Sequence, residues 1–434
     1  AMLLRFSGLC FLLQVLTIIL FAVFARYSPE SSLSLCSQQL NCSWRNQDSR
    51  SQPLRFRDVH LQAVLGFGLL VAFLGRYGPR SVTTSILVVA VTVQWAMLIQ
   101  GFFFTFQNGK IFVGAQSMVG ADFCAAAILI SFGAVLGRLN PIQLLLVALL
   151  GVTLFTLNEY LLLSLMGVSD SGGSLTVHAF GAYYGLMVSR LLHQSRKDKR
   201  KEQQDTGKQT DIFAVAGIVY LWVFWPSFTS ASTVCGDTEP WAVLNTYFSL
   251  SGSTLATFVL SPVLCKESPP WLVQIQDATL AGAAVMGMTG EMLVTPFGAL
   301  TAGFLAGLIP PLGFRFLTPV LSSRLKTQDS CGVHNVHGLP GILGALLGTL
   351  LSVLATADTY GERMELVFPL VAQGSRTVVD QALYQLCALP VTLLLAALGG
   401  CLTGALLKIP GLRSALYTRT LENAFLGEVK LGGC

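Results

Sequence analysis

Asp170-Ser-Gly-Gly-Ser-Leu-Thr-Val-His178 is written twice in this chain: 159 residues later it returns as Asp329-Ser-Cys-Gly-Val-His-Asn-Val-His337. Five of the nine positions are identical, namely Asp170/Asp329, Ser171/Ser330, Gly173/Gly332, Val177/Val336 and His178/His337. Beyond each histidine the residues turn small and apolar, through Ala-Phe-Gly-Ala-Tyr-Tyr-Gly185 in one copy and Gly-Leu-Pro-Gly-Ile-Leu-Gly344 in the other. The pattern predicts a helix beginning near each acid and carrying its histidine into apolar surroundings. Eight residues at ~1.5 Å rise separate acid from histidine by roughly 12 Å.

Those surroundings are set by composition. Of 434 residues, 53% are hydrophobic and 11% charged, against roughly 25% charged in ordinary soluble domains. The chain reads as an all-α integral membrane protein. A hydrocarbon layer of ~30 Å takes about 20 helical residues to cross, and twelve stretches qualify: 8–26, 59–76, 81–105, 117–137, 142–166, 174–194, 212–229, 241–264, 272–289, 295–318, 333–356 and 381–407. Many carry closely spaced glycines, such as Gly298, Gly303 and Gly307 or Gly341, Gly344 and Gly348, which let helices approach closely in lipid. The first stretch is too long for a signal-peptide core and no small-x-small cleavage site follows it, so it reads as a retained helix.

The densest basic cluster, His193-Gln-Ser-Arg-Lys-Asp-Lys-Arg-Lys201, follows the sixth stretch and marks the cytoplasmic side. By parity both ends of the chain then lie in the cytoplasm and the loop 27–58 lies outside. That loop holds the acceptor Asn41-Cys42-Ser43, a glycosylation site that works only outside the cytoplasm; Cys36 and Cys42 could pair there. The basic linker 195–211 reads as a solvated loop beside anionic lipid, not as a nucleic-acid site.

Topology and repeat together have a consequence. Asp170 precedes the sixth helix on the outside, whereas Asp329 precedes the eleventh on the inside. An odd number of crossings separates the copies, so the chain reads as one transmembrane domain, 1–434, built from an inverted five-helix repeat with one extra helix at each end. The first half is 59–194, the second 212–356, and 409–434 is a cytoplasmic tail. The inversion predicts that His178 and His337 meet near mid-depth, offering an imidazole acceptor and an N–H donor to something small. Intramembrane ionisable groups mark pathways more often than they mark structure, although each histidine could simply tie two helices together. A zinc reading, with His334 and His337 on one helical face and His178 as third ligand, lacks a matching carboxylate or cysteine set, so no metal or cofactor is expected. His60 and His193, near helix ends, receive no role. With no acidic ring or carbonyl-rich filter to replace an ion's water, a neutral small molecule suits this lining best. Among the 27 phenylalanines, Phe123 follows Asp122, and Phe228 lies two residues after Pro226, a residue expected to kink its helix and aim Phe228 inward.

Several stretches, taken together, resemble one family: Asn158-Glu-Tyr160, Val168-Ser-Asp170, Thr176-Val-His178-Ala-Phe-Gly-Ala-Tyr-Tyr-Gly185, Phe224-Trp-Pro-Ser-Phe228, Ala121-Asp-Phe-Cys124 and Cys331-Gly-Val-His-Asn-Val-His-Gly-Leu-Pro-Gly341. They are similar to signatures of the Rh glycoproteins, the animal branch of the ammonium transporter superfamily, over about residues 8–408. The resemblance is to the ammonia-conducting members, which carry the histidine pair. It implies a plasma-membrane homotrimer with one pore per subunit. In that pore Asp170 and Glu159 would recruit ammonium at an acidic outer vestibule, Phe123 and Phe228 would form an apolar constriction, Phe67 would line the path, and His178 and His337 would bridge the conduit. Ammonia, and not ammonium, would cross; whether carbon dioxide also passes is left open. Two positions depart from the family pattern, Thr229 and Asp277, where asparagine is usual, and both bear on pore polarity. The tail after Lys408 lacks the family's longer acidic stretch. A proton-coupled secondary transporter would use the same architecture but show saturable, gradient-driven uptake. A non-conducting scaffold would tolerate loss of both histidines, and no nucleophile with an adjacent base suggests an enzyme.

Overall fold

The computed structural model describes residues 2–28, 57–66, 78–193, 208–233, 238–264 and 271–409. Asn41, Cys36, Cys42, Phe67 and the basic linker lie outside them.

Helices dominate. We number them α1 (Met2–Phe24), α2 (57–66), α3 (Gly78–Phe104), α4 (Ala115–Val135), α5 (Pro141–Glu159, prolonged by a π turn, Tyr160–Leu165), α6 (a π turn, Ser174–Ala179, then Phe180–Leu191), α7 (Lys208–Ser230), α8 (Thr238–Leu264), α9 (Trp271–Thr289), α10 (Thr295–Leu312, continuing through Gly313–Leu317 and Thr318–Ser323), α11 (a π turn, His334–Gly338, then Leu339–Val353) and α12 (Val378–Leu406). Between α11 and α12 run short helical turns from Ala357 to Ala372. Among the described residues, eight helical segments are long and apolar enough to cross a membrane, and Val215–Ser230 is a shorter apolar helix. The chain is therefore a multi-pass membrane protein.

Burial sorts these helices. α4 carries apolar residues around its whole circumference and is almost entirely buried, whereas α1 is scarcely buried at all. A helix hydrophobic all round belongs inside a bundle when its neighbours cover it and in lipid when they do not, so α4 is the central post and α1 a peripheral, lipid-facing helix. Neighbour relations repeat: α4 packs on α3 and α6, and α3 on α5, while α9 packs on α8 and α11, and α8 on α10.

Glycine sets the closest approach between helices. A Cβ added at Gly181 would stand 2.5 Å from the Ala127 carbonyl oxygen, and one at Gly344 would stand 2.6 Å from that of Val285, so α6 lies backbone-to-backbone on α4 and α11 on α9. At the first contact Ser131 Oγ donates to the carbonyls of Ala127 and Gly181 at 2.9 and 2.8 Å, fastening the two helices. Overpacking such a contact typically costs about 1–3 kcal/mol. Gly181→Ala is thus expected to lower the thermal midpoint of the detergent-solubilised protein by several degrees, read by loss of folded protein after heating, while alanine at the uncrowded Gly8 leaves it in place.

One element departs from the all-helical expectation. Strands β1 (Ala25–Tyr27), β2 (Phe106–Gln107) and β3 (Lys110–Val113) form a small sheet in the order β1-β3-β2, β1 parallel and β2 antiparallel to β3. Asn108 and Gly109 close the β2–β3 hairpin at φ of 49° and 77°. Asn-Gly is the strongest short hairpin signal a sequence offers, hidden here behind the long apolar run of α3.

Candidate functional site

The repeated motif folds the same way twice. Asp170 is buried and accepts from Thr176 N at 2.8 Å, Thr176 Oγ1 at 3.0 Å and Leu175 N at 3.1 Å. Asp329 accepts from Val333 N and His334 N, both at 2.9 Å. Each carboxylate thus satisfies the otherwise orphaned donors at a helix start and complements the positive end of the helix dipole. Three residues after each acid comes a glycine in the left-handed region, Gly173 at φ 77° and Gly332 at φ 70°, which explains why the repeat spells glycine at both places. Asp170, expected to help recruit ammonium at an acidic outer vestibule, is an almost fully buried cap at 3% exposure.

Each capped helix opens with a π turn, Ser174–Ala179 or Ser-free His334–Gly338, and each π turn carries its histidine. The extra residue per turn that defines this geometry recurs at functional sites. α6 and α11 pass each other in opposite directions: Ser174, at the start of α6, lies against Gly341 and Gly344, whereas Tyr183, farther along α6, lies against Gly338 and the ring of His334. At the crossing the Nδ1 atoms of His178 and His337 are 3.0 Å apart, with ring planes 9° from parallel. Both rings are buried, His178 at 0% and His337 at 4% exposure. One Nδ1 must donate and the other accept. His178 Nε2 is buried without a partner.

Aromatic rings cover one side of this pair. Trp225 stacks on His178 at 5.9 Å and 24°, Phe228 lies 5.7 Å from Trp225, and Phe123 meets Phe228 edge-to-face at 4.5 Å and 61°. α7 runs on through Pro226 to Ser230 without a break, and Phe228 is completely buried. Glu159 accepts from Gln100 Nε2 at 2.9 Å. The sequence-predicted residues His178, His337, Phe123 and Phe228 therefore form one continuous cluster; Asp170 sits at the cap of the same helix, and Glu159 bonds to α3.

Several participants escaped the sequence reading. Trp225 was quoted in its motif but given no role, although the proline beside it was the available signal. α12, expected to lie outside the repeat, and the residues just before it fasten the turn that leads to Asp170: Gln385 Oε1 accepts from Ser169 N and its Nε2 donates to Ser169 O, both at 3.0 Å, Gln381 Nε2 donates to Gly167 O at 2.8 Å, and Arg376, two residues before α12, donates from Nη1 to Met166 O at 2.6 Å. His60 was set aside, yet its Nδ1 lies 3.0 and 3.2 Å from the two carboxylate oxygens of Asp122. Nothing local in the sequence pairs residues 62 positions apart.

The chain thus folds as a multi-helix membrane bundle in which two capped, crossing helices bring a buried imidazole pair together. The chain belongs to the ammonium transporter family, in its Rh-type branch: the model of the Ammonium Transporter Family matches residues 47–416. It is 51% identical to the ammonium transporter Rh type B of Sus scrofa over 426 residues, covering 97% of this chain and 92% of that protein. It is 50% identical to Rh type B-B of Xenopus laevis, over 98% and 93% of the two chains. Among solved structures, the Rh50 protein of Nitrosomonas europaea superposes with a TM-score of 0.71 at 34% identity, covering 89% of this chain and 94% of that one. A sensor Amt protein shares the fold at a TM-score of 0.68 and 18% identity, over 87% and 96%. The family is one of transporters, not of enzymes.

Proposed function

We propose that this chain is a channel or facilitator that conducts ammonia across the plasma membrane past His178 and His337. The observation carrying the reading is the 3.0 Å Nδ1–Nδ1 approach of two buried imidazoles. When two neutral rings share one proton between their Nδ1 atoms, one Nε2 is left bare and the other carries a hydrogen. The pair then presents an acceptor and a donor side by side, which matches ammonia, a molecule with three N–H donors and one lone pair. Ammonium is matched less well, because a bare cation at this depth loses its hydration and, among the described residues, no carboxylate bonds to either ring to replace it. The Rh type B relatives are named ammonium transporters, and ammonium is the protonated form of the same solute.

In this reading ammonium gives its proton to water on the entry side, before the Phe123/Phe228 constriction, and the ammonia that passes takes a proton from water beyond the histidines. Since Asp170 accepts three hydrogen bonds from its own helix, its part is to anchor the turn that carries His178, and Glu159 supplies negative potential nearby. The bundle is taken to have twelve crossings in two inverted halves, 59–194 and 212–356, with both ends of the chain in the cytoplasm. Asn41 is taken as glycosylated outside, Cys36 and Cys42 as available to pair there, Phe67 as lining the path, and three copies as assembling with one pore each. Reconstituted into liposomes, the protein is expected to speed internal alkalinisation after an ammonium jump well beyond that of protein-free vesicles, while urea permeability stays at the bilayer value. Equal ammonia rates in loaded and empty vesicles would overturn the proposal.

A further inference from the structure

We propose that the start of α2 sets the aperture between Phe123 and Phe228, with His60 and Asp58 as positioning residues; this rests on reading that ring pair as the pore constriction. The two phenylalanines stand on different helices, α4 and α7, and meet edge-to-face with ring centroids 4.5 Å apart. An edge-to-face contact is a weak constraint on the separation of two long helices. The residues beside the rings are held differently. Asp122, immediately before Phe123 and 1% exposed, receives the Nδ1–H of His60 at 3.0 Å. Ser227, immediately before Phe228, donates its Oγ–H to Asp58 Oδ2 at 3.3 Å. Both partners belong to one stretch of three residues, 58–60, so a single rigid turn of helix is bonded to both sides of the constriction. Arg57, with Nε and Nη2 each 3.3 Å from Asp58 Oδ1, engages the other oxygen and leaves Oδ2 facing Ser227.

The chemistry fits a strut. A carboxylate buried on α4 cannot go without a donor, and the imidazole supplies a charge-assisted bond, stronger and more directional than packing. Ser227 is placed by the helix that continues through Pro226, where the missing N–H already removes one backbone bond. The spacing between 58 and 60 then fixes the spacing between α4 and α7 at the level of the rings, and with it the size of molecule that passes.

The test compares methylamine with ethylamine flux in proteoliposomes of the full chain. In His60→Ala the ethylamine-to-methylamine ratio is expected to rise by about tenfold, the low end of what one methylene is worth in a fitted apolar site. His60→Asn, whose amide nitrogen stands where Nδ1 stood, is expected to restore the wild-type ratio. Ser227→Ala, which removes one oxygen from the second tie, is expected to shift the ratio in the same direction. General loosening of the fold would lower both fluxes and leave the ratio alone, and if His60→Ala does not assemble, Ser227→Ala and His60→Asn decide the matter. An unchanged ratio in Ser227→Ala together with His60→Ala, or a raised ratio in His60→Asn, overturns the strut while leaving conduction standing. Wild-type vesicles that carry no methylamine overturn the conduction reading instead, and the strut falls with it.

Discussion

With His178 and His337 both replaced by alanine, ammonia flux through the reconstituted protein is expected to fall roughly 10- to 100-fold. In the proposed pathway each ring offers the passing molecule one hydrogen bond, worth about 0.5–1.5 kcal/mol net, and every 1.4 kcal/mol is about tenfold. The double variant also removes the Nδ1–Nδ1 bond cleanly, since neither partner is left behind. A single variant is a different matter. Removing one ring strands the other's buried Nδ1, which costs about 1–3 kcal/mol, so each single alanine is expected to lower stability as well as flux. Stopped-flow alkalinisation of vesicles matched for protein content measures the first effect, and thermal inactivation in detergent the second. Double-variant vesicles that conduct as fast as wild type would remove the histidines from the pathway.

The second large effect concerns Asp170. Its carboxylate satisfies two backbone N–H groups and the Thr176 hydroxyl at a buried helix start, and each stranded donor costs about 1–3 kcal/mol. Asp170→Ala is therefore expected to lose about 3 kcal/mol or more, enough to abolish accumulation of folded protein in a chain of ordinary marginal stability. Asp329→Ala, which orphans the donors of Val333 and His334, is expected to do nearly the same from the other end of the crossing. A carboxylate acting only through its charge on approaching ammonium would behave otherwise. Asp170→Ala would then fold normally and lose flux, and Asp329→Ala would leave flux unchanged. Yield and monodispersity after gel filtration separate the two outcomes.

The parts of the fold that were legible in the sequence share a property: their signal is periodic or repeated. Long apolar runs announce spans because lipid forces backbone polar groups to pair within a helix, and the Asp-to-His motif, printed twice, could be read as two equivalent helix starts. The cap itself was missed because one dimension shows an acid before a helix but not what it bonds to; the distances from Asp170 to Leu175 and Thr176 supply that. The small sheet was lost because strands as short as Phe106–Gln107 have no period of their own. Pairings across the bundle were out of reach for another reason. His60 with Asp122, and Gln385 with Ser169, join residues 62 and 216 positions apart, and one sequence carries no signal linking such positions. Trp225 lay between: its place in Phe-Trp-Pro-Ser-Phe was visible, but its stacking on His178 joins α7 to α6 and has no local signal.

The charge carried per molecule transported bears on the account most directly. In planar bilayers or on supported membranes, an ammonium gradient across wild-type protein is expected to drive alkalinisation with no current beyond that of His178→Ala/His337→Ala membranes, because the species passing the imidazole pair is neutral. A steady inward current equal to one elementary charge per ammonia delivered, present in wild type and absent from the double variant, would mean that the cation itself crosses and would contradict the account.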